Sequence, residues 1–323
     1  MTSDVRPTGR PRFTDPEVLL PLTHRRIDLG GRLVFLPRNR AGHPGPGHDN
    51  PRTLIVQAAK EQPTRLCSKR PPRCPPAVAP LGVEPLGAAD AARIRGGIPG
   101  SEAPGGVIHG DVVYELTWDG DVVWRWAAID HLNPELTTLN PHFAREHWPM
   151  ANTVNELRDG GIVVGFRSAS TTVAVDRTDG SVRWRIGPDV LAQQHYPHEL
   201  ADGNILVFDN GTYRDTTSVP YSRVVEIDPA DGRTVWTYED NPPQNFYSPY
   251  MSSAQRLPNG NTFIAEGSFG RLFEVTPDGD VVWEFVVPEF GAFGRGVGLE
   301  SSRGAQNAVF RAYRYSAEQI PWL

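Results

Sequence analysis

The residue types best suited to chemistry gather in one short stretch, "QQHYPHELADGNILVFDNG" (193–211), where His195 and His198 stand three apart at the head of an apolar strand. Histidine serves as acid, base or nucleophile near neutral pH. Arginine supplies the complementary function, because its planar fork of donors fits the oxygens of a sulfuryl, phosphoryl or carboxylate group. Arg223 and Arg271 each stand three places before an acidic strand residue, Glu226 and Glu274. A histidine beside such an arginine makes a site for oxyanion chemistry, in which fixed donors stabilise developing charge.

What positions these residues is a repeat. An Asp-Gly turn followed four residues after the Gly by Trp occurs as "DGDVVW", "DGSVRW", "DGRTVW" and "DGDVVW", ending at Trp124, Trp184, Trp236 and Trp283. Asp-Gly supplies the positive φ of a tight hairpin, and the β-branched and aromatic residues after it suit a strand. Three units add an upstream hairpin, "ELRDGGIVVGF", "ELADGNILVFD" and "RLPNGNTFIAE". Each unit reads as a four-stranded antiparallel meander, and Trp-to-Trp spacings of 47 to 60 residues fit propeller blades. The sequence therefore predicts an all-β protein, a β-propeller with four visible blades and a possible fifth or sixth, with the four Trp residues packing between blades.

Aligning the upstream hairpins on Leu157, Leu200 and Leu257 sets Asn152, His195 and Ser252 at one position and Met150, Gln193 and Tyr250 two places before it. First strands line a propeller's channel, so these positions are expected at one mouth of it, with Arg223 on the same face. Aligning the third strands on Glu115, Asp176, Glu226 and Glu274 puts Val112, Val173, Arg223 and Arg271 together. His131 follows the last strand of a blade and is expected at the same mouth. Strand periodicity turns His198 to the opposite face, as a surface or turn residue, and His142 reads as part of a solvated loop.

Residues 38–106 are dense in Pro, Gly, Ala and Arg without sustained alternation, and are expected to be irregular, with few backbone pairings. The organisation expected is an irregular region over 1–106, with some propeller strands, and the propeller over 107–323. A net charge of −6 argues against nucleic-acid or anionic-membrane partners. With no secretory-type apolar segment and no run of 18 apolar residues, a cytoplasmic protein is expected. Cys67 and Cys74 are then expected as free thiols. Too few ligands accompany them for zinc, and turns such as "DPADG" lack calcium-loop spacing, so no metal and no cofactor is expected.

"QHYPHELADGNILVFDNG", "SRVVEIDPADGRTVWTYE", "SAQRLPNGNTFIAEGSFGRLFEVTPDGDVVWEF" and "NAVFRAYRY" together resemble the bacterial arylsulfotransferase family over residues 107–323. That resemblance implies a six-bladed propeller that moves a sulfuryl group from an aryl sulfate to a phenol, through a sulfohistidine and without the nucleotide donor PAPS. By position it implies His195 and Arg223 as catalytic, and Arg271, aligned with Arg223 in the repeat, is expected in support. A family histidine before "AN" is replaced here by Met150, with His147 three residues upstream as the candidate. The family's sulfated histidine has no counterpart in "NFYSPYMSSAQRL", which offers Tyr247 and Tyr250. The expected site is thus His195, Arg223, His147 and His131 as catalytic residues and Arg271, Asn152, Tyr250 and Ser252 as substrate contacts, with an aryl sulfate and a phenol as partners. The rival reading is a propeller that binds a ligand or a protein without transfer. A quinoprotein, suggested by the Trp repeat, ranks last for want of calcium ligands and paired cysteines.

Overall fold

The computed structural model describes residues 77–116, 122–292 and 305–316, with the backbone of three strands at 24–28, 33–37 and 53–57. Two compact units divide the chain, Met1–Val56 with Tyr315–Leu323 and Gln57–Arg314. In the first, β1 (His24–Asp28), β2 (Leu33–Pro37) and β3 (Thr53–Gln57) pair antiparallel in sequence order.

The second unit is built of β-propeller blades. Its first blade joins β4 (Ala77–Pro85), β6 (His109–Leu116) and β7 (Val122–Ala127), with β5 (Gly96–Ile98) paired instead to β8 (Leu139–Ala144), and β9 (His147–Trp148) parallel to the start of β6. β4 pairs with β6 from Ala77 to Pro85, with a register shift between Ala79 and Leu81, so a strand with two prolines lies inside the segment expected to be irregular. A short helix, α1 (Ala88–Ala91), follows it, and α2 (Ala128–His131) follows β7. Cys67 and Cys74 lie outside the described residues.

Three complete meanders follow. They are β10 (Ala151–Glu156), β11 (Ile162–Phe166), β12 (Thr171–Val175) and β13 (Val182–Ile186); β14 (His195–Glu199), β15 (Ile205–Asp209), β16 (Arg223–Ile227) and β17 (Thr234–Tyr238); and β18 (Ser253–Arg256), β19 (Thr262–Glu266), β20 (Arg271–Val275) and β21 (Val281–Val286). Short strands β22 (Gly291–Ala292) and β23 (Ala305–Gln306) precede β24 (Arg311–Tyr315). Second and third strands are buried almost throughout, as continuous runs such as "ILVFD" and "TTVAV" require, whereas the fourth strands alternate toward solvent. Six blades are not counted among the described residues, which give these three meanders and the differently built first blade.

The Trp repeat holds as expected. Trp124, Trp184, Trp236 and Trp283 lie on the last strands of the meanders of four different sheets, each just past a β-bulge. Trp236 donates from its indole N–H to the Pro277 carbonyl in the next blade's turn, at 2.9 Å. A buried glutamate faces the Trp in three blades and binds an arginine from outside its own blade: Glu115 with Arg177, Glu226 with Arg256 at 2.8 Å, and Glu274 with Arg314. Arg256 and Arg314 also lie over the Trp236 and Trp283 rings. In the second blade Trp184 faces Ala174, two residues before the Asp176 on which the sequence alignment rested. Thr171, not Val173, is therefore the counterpart of Arg223 and Arg271.

Candidate active site

In each complete meander the chain enters the first strand at the end where the second strand leaves and the third begins. At that end the β14 backbone departs from regular pairing. His195 pairs with Phe208 and His198 with Leu206, so Tyr196 and Pro197 together face a single residue of β15, and Tyr196 has φ +55°. The bulge has two consequences. His195 takes the register of Thr153 and Ser253 instead of Asn152 and Ser252. It also turns His198 to the same face as His195, correcting the expectation of opposite faces: the two histidines sit opposite Phe208 and Leu206, which are two apart on a regular strand.

His195 is buried. Its Nδ1–H donates to Asn210 Oδ1 at 2.8 Å. Asn210 uses its amide hydrogens on the carbonyls of Ser248 (2.7 Å) and Met251 (3.1 Å), which fixes its oxygen toward the imidazole. The Met251 N–H in turn donates to His195 Nε2 at 3.3 Å. With an acceptor on one nitrogen and a donor on the other, the ring is held as the neutral Nδ1–H tautomer. Burial, and then the positive charges of Arg167 and Arg311, pull its pKa down to about 3 against the bond from Asn210. His198 donates to the Tyr196 carbonyl within the bulge at 3.2 Å.

The two arginines beside His195 differ from those expected there. Arg167, directly after β11, is half-buried. Its guanidinium lies 5.1 Å from the centre of the Phe143 ring and makes no hydrogen bond or ion pair among the described residues; its Nε is buried and unpaired. Arg311 packs over Tyr196 and Phe310 and has no carboxylate partner among the described residues. Arg223, by contrast, donates from Nε to the fully buried Asp209 at 2.8 Å, where Arg214 also binds at 2.9 Å. Its Nη2 donates to the Val190 carbonyl at 2.7 Å. Arg271 holds the same register position and is likewise neutralised, by Glu284 at 2.7 Å and Glu266 at 3.4 Å.

The other expected residues divide. Ser252 accepts the Gly267 N–H at 2.9 Å and donates to Ser248 Oγ at 2.8 Å, tying together the loop that carries Met251. Tyr250 in that loop reaches Gln306 at 3.4 Å, and its phenol acts on the charge of Arg167. Asn152, itself bulged, donates to the Gln194 carbonyl at 2.8 Å. His147 donates from Nε2 to the buried Asp111 at 2.7 Å, and no contact joins it to His195. His131 is exposed, stacks on Trp126 at 5.2 Å, and lies beside Gly180 in the β12–β13 turn, at the opposite end of the second blade from Arg167. It does not enter the expected mouth, because α2 folds it onto that tryptophan.

Sequence reading missed Arg167 and Asn210. Both stand immediately after the second strand of their blade, where the fourth blade has Gly267; aligning those exits as the first and third strands were aligned finds both. Among the described residues no cluster of histidine, cysteine and carboxylate groups could hold a metal. Nor is any described helix long and apolar enough to cross a membrane. Recesses of about 330 and 270 Å³ open on the outer strands and turns, lined by residues such as Trp184 and Asp231 in one and Asp159 and Arg183 in the other, away from His195.

Solved structures similar to the chain include a protein of unknown function from Bacteroides caccae (13% identity, 87% of this chain and 82% of that one, TM-score 0.42). Virginiamycin B lyase from Staphylococcus aureus is similar at 15% identity (65% and 61%, TM-score 0.35), and the Cps50 (Swd1) β-propeller domain from Myceliophteria thermophila at 10% (73% and 76%, TM-score 0.27). No curated protein matches in sequence. The family model described as arylsulfotransferase (ASST) matches residues 103–284, which include His195, Arg167 and Asn210, so the chain belongs to the arylsulfotransferase family, with the sulfotransferase type of function and small-molecule substrates that membership implies.

Proposed function

We propose that the protein transfers a sulfuryl group from an aryl sulfate to a phenol without PAPS, with His195 as the group that meets the sulfur. The observation that carries this reading is the locked tautomer of His195 between two cations. A nitrogen that is neutral at any pH above about 3 needs no deprotonation to act as a nucleophile. Because Nδ1 holds its proton against Asn210, Nε2 is the nitrogen with a lone pair to give. Its bond from Met251 is long, and that residue sits in a segment where Met251 and Ser252 both have positive φ, so a small shift of the segment frees it.

In the first half-reaction Nε2 bonds to sulfur as the bond from sulfur to the aryl oxygen breaks, and the aryl group leaves as phenolate with the electron pair. In the second, the acceptor phenol oxygen bonds to sulfur, the nitrogen–sulfur bond breaks, and the phenol proton passes to solvent. The non-transferring propeller is favoured by one observation: Arg223 and Arg271, the arginines that the family resemblance points to, are neutralised by Asp209, Glu266 and Glu284.

Incubation with 4-nitrophenyl sulfate and a phenol, in the absence of PAPS, tests between them. Release of 4-nitrophenol matched by sulfated acceptor is expected, with His195→Ala lowering turnover at least ~10²-fold, the usual lower range for removing a positioned catalytic side chain. Transfer that requires PAPS, or that survives in folded His195→Ala, would overturn the proposal.

A further inference from the structure

The outer seams between blades are closed by a repeated latch, and one seam lacks it. Where the latch is present, the glutamate facing the blade's Trp binds an arginine from outside that blade, Glu226 with Arg256 at 2.8 Å and Glu274 with Arg314. The guanidinium also lies over the indole, 4.8 Å from the ring centre in both cases, Arg256 on Trp236 and Arg314 on Trp283. The Trp236 N–H then bonds the Pro277 carbonyl in the following blade's turn at 2.9 Å.

Between the second and third blades each part of the latch is replaced. Opposite Trp184 stands Ala174 instead of a glutamate. Arg256 directly precedes Leu257 and pairs with Thr262; the residue in that register on β14 is Glu199, which directly precedes Leu200 and pairs with Ile205. A carboxylate thus stands where the other seam has its guanidinium, and Glu199 Oε2 accepts the Arg158 N–H at 2.7 Å. The turn that would meet the indole is longer: its closing bond runs from Asp228 to Arg233, against Thr276 to Asp280 in the fourth blade. Among the described residues no arginine lies over the Trp184 ring and no acceptor takes its N–H.

What the missing latch leaves is a recess of about 330 Å³, within the roughly 300–1,000 Å³ common for ligand sites. Trp184, Gly187 and Pro229 line it, with the carboxylates of Asp189 and Asp231. Arg185, also in its wall, spends Nη2 on the Leu136 carbonyl at 2.7 Å and the Thr171 hydroxyl at 3.2 Å. An indole face beside carboxylates attracts a cation, and the neighbouring seams show that this frame accommodates a flat guanidinium there.

We infer that the recess beside Trp184 binds a guanidinium brought from outside the chain, that of an arginine on a partner's loop or of a small guanidino compound. The guest takes the place over the indole that Arg256 and Arg314 take at their seams, and Asp189 and Asp231 are the carboxylates that receive its charge. The inference does not depend on sulfuryl transfer, since the recess lies away from His195.

The test follows the indole signal of Trp184 in two-dimensional proton–nitrogen spectra at low ionic strength, identified by its loss in Trp184→Phe. The titrants are ethylguanidinium, ethylammonium, neutral N-ethylurea and a blocked tripeptide with arginine between two glycines. Ethylguanidinium is expected to shift the signal to saturation and to bind roughly two- to fivefold more tightly than N-ethylurea, the scale of one exposed cation–π contact. Tighter binding of the tripeptide than of ethylguanidinium assigns the site to a partner's arginine, and equal or weaker binding assigns it to a free guanidino compound. Asp189→Asn with Asp231→Asn, which keeps an acceptor for the Arg233 N–H, should remove the preference over the urea. Ala174→Glu with Glu199→Arg supplies the absent latch from the chain itself; it should melt higher than Ala174→Glu alone and leave the Trp184 signal unmoved by ethylguanidinium. A wild-type signal that ethylguanidinium does not move, equal binding of N-ethylurea or of ethylammonium, a preference that survives in the double asparagine variant, or an undiminished response in the folded latched variant would each overturn the site.

Discussion

The seams between blades and the end of the blades that carries His195 use the same residue types to opposite purposes. At the seams each arginine meets a carboxylate, Arg256 meeting Glu226 and Arg314 meeting Glu274, and within the third blade Arg223 and Arg214 share the buried Asp209. Beside His195, Arg167 and Arg311 have no carboxylate partner among the described residues, and Gln193 keeps an unbonded amide. Satisfied polar groups rigidify a fold, while unsatisfied ones mark where the fold accepts a cost for something else. Carrying an arginine is therefore not what marks a functional position in this chain; lacking a partner for it is.

The sharpest way to break this contrast is to remove charge from a paired arginine cluster and from the unpaired arginine in turn. Asp209→Asn keeps the shape of the side chain and leaves Arg214 and Arg223 without their anion. A loss of about 3–5 kcal/mol in urea unfolding is expected, as for other buried pairs deprived of one partner. If Arg167→Met proves as destabilising as Asp209→Asn, the two regions do not differ as described.

A second effect, smaller over a narrow pH range, comes from the histidines. Burial, Arg167 and Arg311 hold the His195 pKa near 3, and burial, with the charges of Arg311 and Arg256, holds that of His198 near 4. Both values lie below the unfolded 6.5, so the stability tied to the neutral rings is fully present above pH 6.5. It is lost progressively as pH falls toward the folded values, because the unfolded chain binds the extra protons. Between pH 6.5 and 5.5 the folding equilibrium should weaken by roughly fivefold for each histidine. His195→Gln should flatten the slope by one proton in denaturant titrations across that range. A slope unchanged in that variant would show that the imidazole titrates alike in both states.

The frame was legible in the sequence because its signals are local. Asp179 and Asp231 accept the N–H two residues on, Gly180 and Gly232 take the positive φ that a tight turn needs, and the Trp follows at a fixed distance. Those features hold wherever the blade lies in space. The candidate site was legible only in part: His195 was singled out, but the arginines expected beside it were not the ones the structure brings there. Counting back from Leu200 assumes an unbroken strand, and the bulge at Tyr196 and Pro197 shifts His195 into another register. Whether an arginine is free depends on what lies opposite: Asp209 faces Arg223 across a ladder that joins residues 14 apart in sequence, and no pattern around Arg223 announces it. His131 shows the same limit, having been placed by the strand it follows while Trp126 decides where its ring goes.

The smallest expected effect separates the two histidines themselves. Since the bulge places them on one face, orientation no longer distinguishes them, and the difference must come from what each ring holds. His198 bonds to the Tyr196 carbonyl two residues away and packs on the Tyr196 ring at 4.8 Å, so its contacts stay within its own bulge. His195 reaches Asn210 on the next strand and Met251 in the next blade, and stands where the charge of Arg167 is felt. His198→Ala should therefore leave sulfuryl transfer near the wild-type rate and lower stability by about 1 kcal/mol, the ordinary size for a partly buried side chain with one local bond. Steady-state turnover of the folded variant, with denaturant unfolding alongside, measures both. A turnover loss as deep as that of His195→Ala would mean that the bulge delivers both imidazoles to the substrate, and the assignment of Nε2 of His195 as the sole attacking nitrogen would have to be given up.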